Sequence, residues 1–150
     1  MHVTIARIKA MKVSEHFDIR EFVPQEIFSQ FGEKSIWFID QRLILFCEWL
    51  HNFCSAPVTI NTWYINGSYT ESGFRVPLTS TGAKLSQHKY GRAVDIKVAT
   101  YTPEQLRKIV RDHWEDVKGW ITTIEKDTPS WLHVDCRWTG LDHLFEVPFK

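Results

Sequence analysis

Two short stretches of alternating apolar and polar residues constrain this chain most. In Ala93-Val94-Asp95-Ile96-Lys97-Val98, the apolar Val94, Ile96 and Val98 fall on one face of a strand, and Ala93, Asp95 and Lys97 on the other. In the segment from Trp131 to Trp138, Leu132, Val134 and Cys136 share one face, while Trp131, His133, Asp135 and Arg137 share the opposite one. Each strand therefore offers one face to a core and a polar face elsewhere. If the two strands are neighbours, Asp95 and His133 point into one cleft. His88 stands on the turn that leads into the first strand, within Ser86-Gln87-His88-Lys89-Tyr90-Gly91-Arg92. Gly91 permits a tight backbone at that turn, and Ala93 leaves space beside the cluster.

His88, Asp95 and His133 supply two imidazoles and one carboxylate, the ligand set of an open zinc site. A catalytic zinc takes three protein ligands of this kind and leaves a fourth position for water or substrate. A lone His or Asp is more often a satisfied polar residue than a ligand. The combination S-x-H-x-x-G-x-A-x-D followed by W-x-H, in a fitting strand context, is far rarer than any single match. Zn2+ is accordingly the expected cofactor.

The rest of the chain predicts the frame for that cleft. Phe17, Ile19, Phe22, Val23, Ile27, Phe28 and Phe31 lie in residues 14–32, where Pro24 can open a short helix and Gly32 close it. Ile36, Ile39, Leu43, Phe46, Leu50 and Phe53 recur at helical spacing, which predicts a long helix with Ser35 as its N-cap, ending before Pro57. Val58 to Tyr64 alternates like a strand. The glycine- and serine-rich stretch from Ile65 to Leu85 reads as a long functional or mobile loop. Thr102-Pro103-Glu104-Gln105 is a capping box with proline at the first helical position. The helix that follows carries Leu106, Ile109, Val110, Trp114 and Val117, with His113 on its surface. Gly119 to Glu125 and Trp131 to Trp138 read as two further strands joined by a turn around Pro129. Helices followed by strands with one inserted helix indicate an α+β fold, a small, largely antiparallel sheet flanked by helices.

Bulk properties narrow the function. A length of 150 residues suits a single domain over residues 1–150, and 43% hydrophobic with 24% charged residues is ordinary for a globular protein. Aromatic residues reach 14%, with seven Trp, enough to serve either a core or a groove. Lys+Arg and Asp+Glu both total 18, so no net field draws the chain to nucleic acid or an anionic membrane. No segment is long and apolar enough to span a bilayer. The N-terminal stretch MHVTIARIKAMKV lacks the apolar run of a signal peptide, so the protein is expected to be cytoplasmic as synthesised, and a monomer. Cys47, Cys54 and Cys136 are an odd set without C-x-x-C spacing and read as small buried hydrophobes rather than a disulfide framework.

The motifs at residues 86–95 and 125–135 resemble the zinc D-Ala-D-Ala carboxypeptidase and L-alanyl-D-glutamate endopeptidase family, which shares the Hedgehog/DD-peptidase fold. The Val58–Arg75 stretch and the element order fit as well, so the resemblance spans most of residues 15–138. It implies zinc held by His88, Asp95 and His133, and action on peptidoglycan stem peptides. A single-domain member of phage type is implied, released to the cell wall by a route other than a signal peptide.

Such a peptidase needs a carboxylate that takes a proton from the attacking water and delivers it to the leaving amine. The resemblance puts this group three residues before the last His ligand, where this chain has Ser130, which cannot serve. Glu125, eight residues before His133, is the substitute, and Asp127 the alternative; both are also ordinary turn residues by position. Relatives carry an arginine in the region of Arg75 that binds the scissile carbonyl or a substrate carboxylate, tasks that suit a guanidinium fork. A surface arginine in a flexible loop is the plain alternative. Ser86, Trp131 and Asp135 are expected to support the ligands or to touch substrate. His143 has no evident partner. The departure at Ser130 leaves a second reading open: a zinc-binding structural or wall-binding module that has lost catalysis.

Overall fold

The structure, a computed structural model, describes residues 11–150. Residues 1–10, on which most of the signal-peptide reading rests, lie outside the described residues. Four α-helices and five strands are present among the described residues: α1 (Gln25–Phe31), α2 (Gln41–Cys54), β1 (Val58–Thr59), β2 (Ala93–Val98), α3 (Pro103–Asp112), α4 (Trp114–Val117), β3 (Thr123–Glu125), β4 (Leu132–Asp135) and β5 (Phe145–Val147). The strands form one sheet in the order β1-β2-β4-β3-β5. All neighbours are antiparallel except β3 and β5, which run parallel. The α+β expectation is met.

The core explains the arrangement. α2 turns Leu43, Phe46, Cys47 and Leu50 inward, and α3 contributes Leu106 and Val110. α2 packs on β1 and β2, and α3 on β4. They meet Val94, Ile96, Ile124, Leu132 and Val134 of the sheet, all fully buried. All three cysteines are free and buried, as their reading as small hydrophobes requires. The capping box of α3 forms: the Gln105 backbone N–H donates to Thr102 Oγ1 at 3.2 Å, and the Thr102 N–H to the Gln105 side-chain oxygen at 2.8 Å. Pro24 and Gly32 bracket α1 as expected.

Several boundaries differ from the sequence expectation. Ser35 does not cap the long helix. Residues Gly32–Phe38 form a tighter 3-10 helix, and α2 starts later, with Asp40 accepting the Arg42 N–H at 3.0 Å. Ser35 is buried instead, its hydroxyl directed at the Ile27 carbonyl. The Asp40 N–H donates to the Gly91 carbonyl at 2.8 Å, which ties the start of α2 to the His88 turn. The strand expected over 58–64 stops at Thr59, because Asn61 leaves the sheet to bridge two loops. Its side chain donates to the Val23 carbonyl at 3.2 Å and accepts the Ser72 N–H at 2.8 Å. β3 begins at Thr123 rather than Gly119, and β4 ends at Asp135 rather than Trp138. His113 sits at the break between α3 and α4, edge-on to Phe53. β5 has no counterpart in the sequence expectation.

The stretch from Ile65 to Leu85 contains no regular element after the short 3-10 turn Trp63–Ile65, yet its middle is anchored. Phe74 is buried and its N–H donates to the Phe22 carbonyl at 2.8 Å. The Ser72 carbonyl accepts the Asp95 N–H at 2.7 Å. This segment covers the polar face of β2, so both faces of β2 and β4 are buried rather than one.

Candidate metal centre

The β2–β4 register sets Asp95 directly opposite His133, and Ala93 opposite Asp135. His88 arrives from the 3-10 turn Gln87–Tyr90, which Ser86 opens by accepting the His88 N–H at 3.3 Å. Gly91 closes that turn at φ +68°, and a Cβ there would stand 2.0 Å from the Phe38 carbonyl oxygen, so no other residue fits. His88, Asp95 and His133 thereby each present one ligand atom, all within 4.8 Å of one another and all nearly removed from solvent.

The hydrogen bonds define which atoms face the cluster. His88 Nδ1 lies 2.8 Å from the Gly73 carbonyl, which can only accept, so Nδ1 carries the proton and Nε2 is left toward Asp95 Oδ1 at 3.2 Å. His133 Nε2 lies 3.0 Å from Asp135 Oδ2, and its Nδ1 lies 2.9 Å from Asp95 Oδ1. Asp95 Oδ2 accepts from Arg75 Nη2 at 3.0 Å. Burial lowers the His88 pKa against the attraction of Asp95, which keeps the imidazole neutral. Burial alone would raise Asp95, but the charges and hydrogen bonds of His88 and His133 hold it well below the usual carboxylate range. Burial alone would lower His133 as well; its bonds to Asp135 and Asp95 outweigh that and push it up to about 9.

This arrangement fits a metal ion. A neutral His88 turns a lone pair toward a carboxylate oxygen, two acceptors with no proton between them, and a cation resolves the conflict. Two ligands of a tetrahedral zinc stand about 3.3 Å apart at zinc–ligand bonds of about 2.0–2.1 Å, close to the observed 3.2 and 2.9 Å. Both imidazoles have their outer nitrogen held, His88 by a carbonyl and His133 by a carboxylate, the outer-shell pattern that orients metal-binding histidines.

The other site candidates divide. Arg75 is buried rather than on the surface of a mobile loop; its Nε donates to the Glu71 carbonyl at 2.7 Å, which aims the fork at Asp95. Glu125, at the end of β3, places its carboxylate 4.0 Å from His133 Nδ1. Burial raises its pKa, and the charges of Asp95 and Asp135 add to the rise while His133 opposes it. Asp127 turns away: it is exposed and accepts the Phe149 N–H at 2.6 Å, so the alternative base is drawn to the C-terminal segment instead of the cluster. Ser130 is exposed. His143 pairs with Asp142 at 3.1 Å on the surface.

A cleft of about 380 Å³ opens over the cluster. It is lined by Asp95, Glu125 and His133, by residues between Gly82 and Gln87, and by Trp131, Arg137 and Val147 to Lys150. Gln87, Arg137 and the C-terminal segment are additions to the site residues that the sequence patterns indicate. Arg137 had a signal, since alternation put it on the face of His133 and Asp135. The run Phe145-Glu146-Val147 is too short for its alternation to mark a strand.

Comparison with known families returns one finding. The profile of the family described as Peptidase M15 matches residues 20–135, most of the chain and all of the cluster. No curated protein and no solved structure gives a match.

Proposed function

This chain belongs to the peptidase M15 family, and from that premise we propose that it is a zinc-dependent peptidase that hydrolyses peptide bonds in the stem peptides of peptidoglycan. The observation that carries the reading is the convergence of Glu125 and Arg75 on the buried His88, Asp95 and His133 set.

His88 Nε2, Asp95 and His133 Nδ1 would hold the ion. Zinc bound there would supply Lewis acidity, making water more acidic and the scissile carbonyl more electrophilic. The chain's own groups account for the remaining work. Glu125, half-buried and with a raised pKa, takes a proton from the attacking water and passes it to the leaving nitrogen. Water is consumed, a C–O bond forms, the C–N bond breaks, and the products are a carboxylate and an amine. Arg75 donates to Asp95 Oδ2 and offers its remaining donors to the developing oxyanion or to a substrate carboxylate. Asp135 holds the His133 ring so that Nδ1 faces inward.

The placement of Glu125 favours an enzyme over a module that has lost catalysis, since a usable carboxylate stands beside the cluster even though position 130 is serine. Which bond is cut, carboxypeptidase or endopeptidase, is open to either outcome of the same assay. A phage or prophage origin, with synthesis in the cytoplasm and release to the wall, completes the proposal. The test combines zinc content with release of products from purified muropeptides. One zinc per chain and turnover are expected, with Glu125→Gln keeping the zinc and losing about 10²–10⁴-fold in kcat. Full zinc occupancy without hydrolysis of any stem peptide would overturn the catalytic reading in favour of a binding module.

A further inference from the structure

The wall of the cleft formed by Val147 to Lys150, with the rest of β5 leading into it, lies beyond the segment that matches the family, which ends at residue 135. It is fastened at several points. β5 pairs with β3 so that Val147 stands opposite Glu125, and the Val147 carbonyl accepts the Lys126 N–H at 2.9 Å. Glu146 is clamped by Arg111 at 2.8 Å. The Phe149 N–H is held by Asp127, and the Phe149 ring meets Trp131 edge-on, with centroids 5.3 Å apart and planes at 90°. Phe149 nevertheless remains 43% exposed, a large apolar surface left open where the cleft begins.

The proton inventory gives this wall a side. Glu125 must hand its proton to the leaving nitrogen, so that nitrogen comes within hydrogen-bond reach of Glu125. The residue that carries it, on the C-terminal side of the bond, therefore lies on Glu125's flank of the cleft. Val147 is the cross-strand neighbour of Glu125, and Pro148 and Phe149 continue from it. Residues between Gly82 and Gln87 also line the cleft, and on this reading they take the other half of the substrate.

We propose that the strap from Phe145 to Phe149 is the specificity-determining wall of the cleft, and that Phe149, braced by Trp131, receives the apolar side chain of the substrate residue on the C-terminal side of the bond that is cut. This rests on the peptidase reading. Phe149 acts on substrate alone and has no part in the proton transfer. An edge-to-face aromatic pair fixed by a backbone hydrogen bond is a preorganised apolar surface. It discriminates an apolar side chain from a smaller or polar one by about tenfold, the range open to a hydrophobic subsite.

The test uses the full-length zinc-loaded protein, its Phe149→Ala and Phe149→Leu variants, and two series of synthetic stem peptides. One series varies the residue after the bond that the wild type cuts, among glycine, serine, alanine and leucine; the other varies the residue before it. Phe149→Ala should lower the preference for apolar over polar residues in the first series by about five- to tenfold, chiefly through KM. The preference in the second series and the zinc content should stay unchanged, and Phe149→Leu should restore most of the preference in the first. An unchanged preference in the first series overturns the proposal, as does a loss spread equally over both series. A wild type that cleaves no peptide in either series overturns the peptidase reading and the strap's role with it; cleavage with an unaltered preference overturns the strap alone.

Discussion

His133 Nε2 meets the carboxylate of Asp135 at 3.0 Å, and Asp135 has no exposure to solvent at all. Two residues apart on β4, both side chains lie on one face, which is how a strand lets one residue aim another. Arg137, two further along, donates to both oxygens of Asp135 and balances its charge. The ring of His133 is therefore set from behind by a chain of charges that opens to the cleft only at Arg137.

Asp135→Ala should weaken zinc binding by about 10–100-fold, the usual cost of losing an outer partner of a metal-binding histidine. Asp135→Asn, which retains an acceptor, should fall between that variant and the wild type. Competition with a chromogenic chelator measures both. Equal zinc affinity in all three proteins would remove Asp135 from the site.

Zinc should also stabilise the fold, because the cluster draws β2, β4 and the His88 turn together. At free zinc 100-fold above its dissociation constant the gain is about 2.7 kcal/mol. For a chain of this size that corresponds to a rise in Tm of roughly 5–10 °C. Calorimetry with and without a chelator reads it, and His88→Ala and His133→Ala should show almost none of the shift. A shift that survives in both variants would mean that zinc binds elsewhere.

Gly91→Ala is expected to be among the most damaging small changes in the chain. The added Cβ would need the space of the Phe38 carbonyl oxygen, 2.0 Å away, at a φ of +68° that side chains disfavour. The turn that carries His88 and the contact to Asp40 would both move, at a cost of about 2–4 kcal/mol. Urea unfolding gives the stability, and zinc stoichiometry shows whether His88 is still in place.

Glu21 makes stability depend on pH. Burial, aided by the charge of Asp18, raises its pKa from 4.5 to about 7, although its carboxylate accepts the Asp18 N–H at 2.9 Å. The folded protein thus holds this proton more tightly than the unfolded chain. The contribution is fully present below about pH 4.5 and is lost as pH rises through about 7. Glu21→Gln keeps an acceptor for Asp18 and removes the buried charge. It should be more stable than the wild type by about 2 kcal/mol at pH 8 and indistinguishable from it near pH 4.5. Urea midpoints measured from pH 4 to 9 check this; a difference that does not vary with pH would reject it.

The legibility of this chain followed the reach of each signal. β2 and β4 are legible because a strand repeats every two residues, and the same alternation puts Asp95 and His133 each on the polar face of its own strand; the pairing of the strands brings them together. α3 announced itself through Thr102 and Gln105. The start of α2 did not, since Ser35 and Asp40 are both good caps, and the choice between them was made by the Asp40 contact with Gly91, more than fifty residues away. β1 was overextended because Asn61 looks like a strand residue until its side chain is seen holding Val23 and Ser72. Spacing offered Glu125 first and Asp127 as its alternative, without placing either beside the cluster. The Phe149 N–H separates them, a partner that no pattern near residue 127 could announce.

β5 joins the sheet parallel to β3, and the chain reaches it only after β4 has been laid down. Three residues at a sheet edge have a strand partner on one side only, so β3 alone closes their ladder. The amides of Phe145 and Val147 are therefore expected to exchange with solvent well ahead of those in β2 and β4, through an opening that leaves the helices and the central strands intact. The wall that carries Phe149 therefore owes its firmness less to the sheet than to two anchors outside it, Arg111 on Glu146 and Asp127 on the Phe149 N–H.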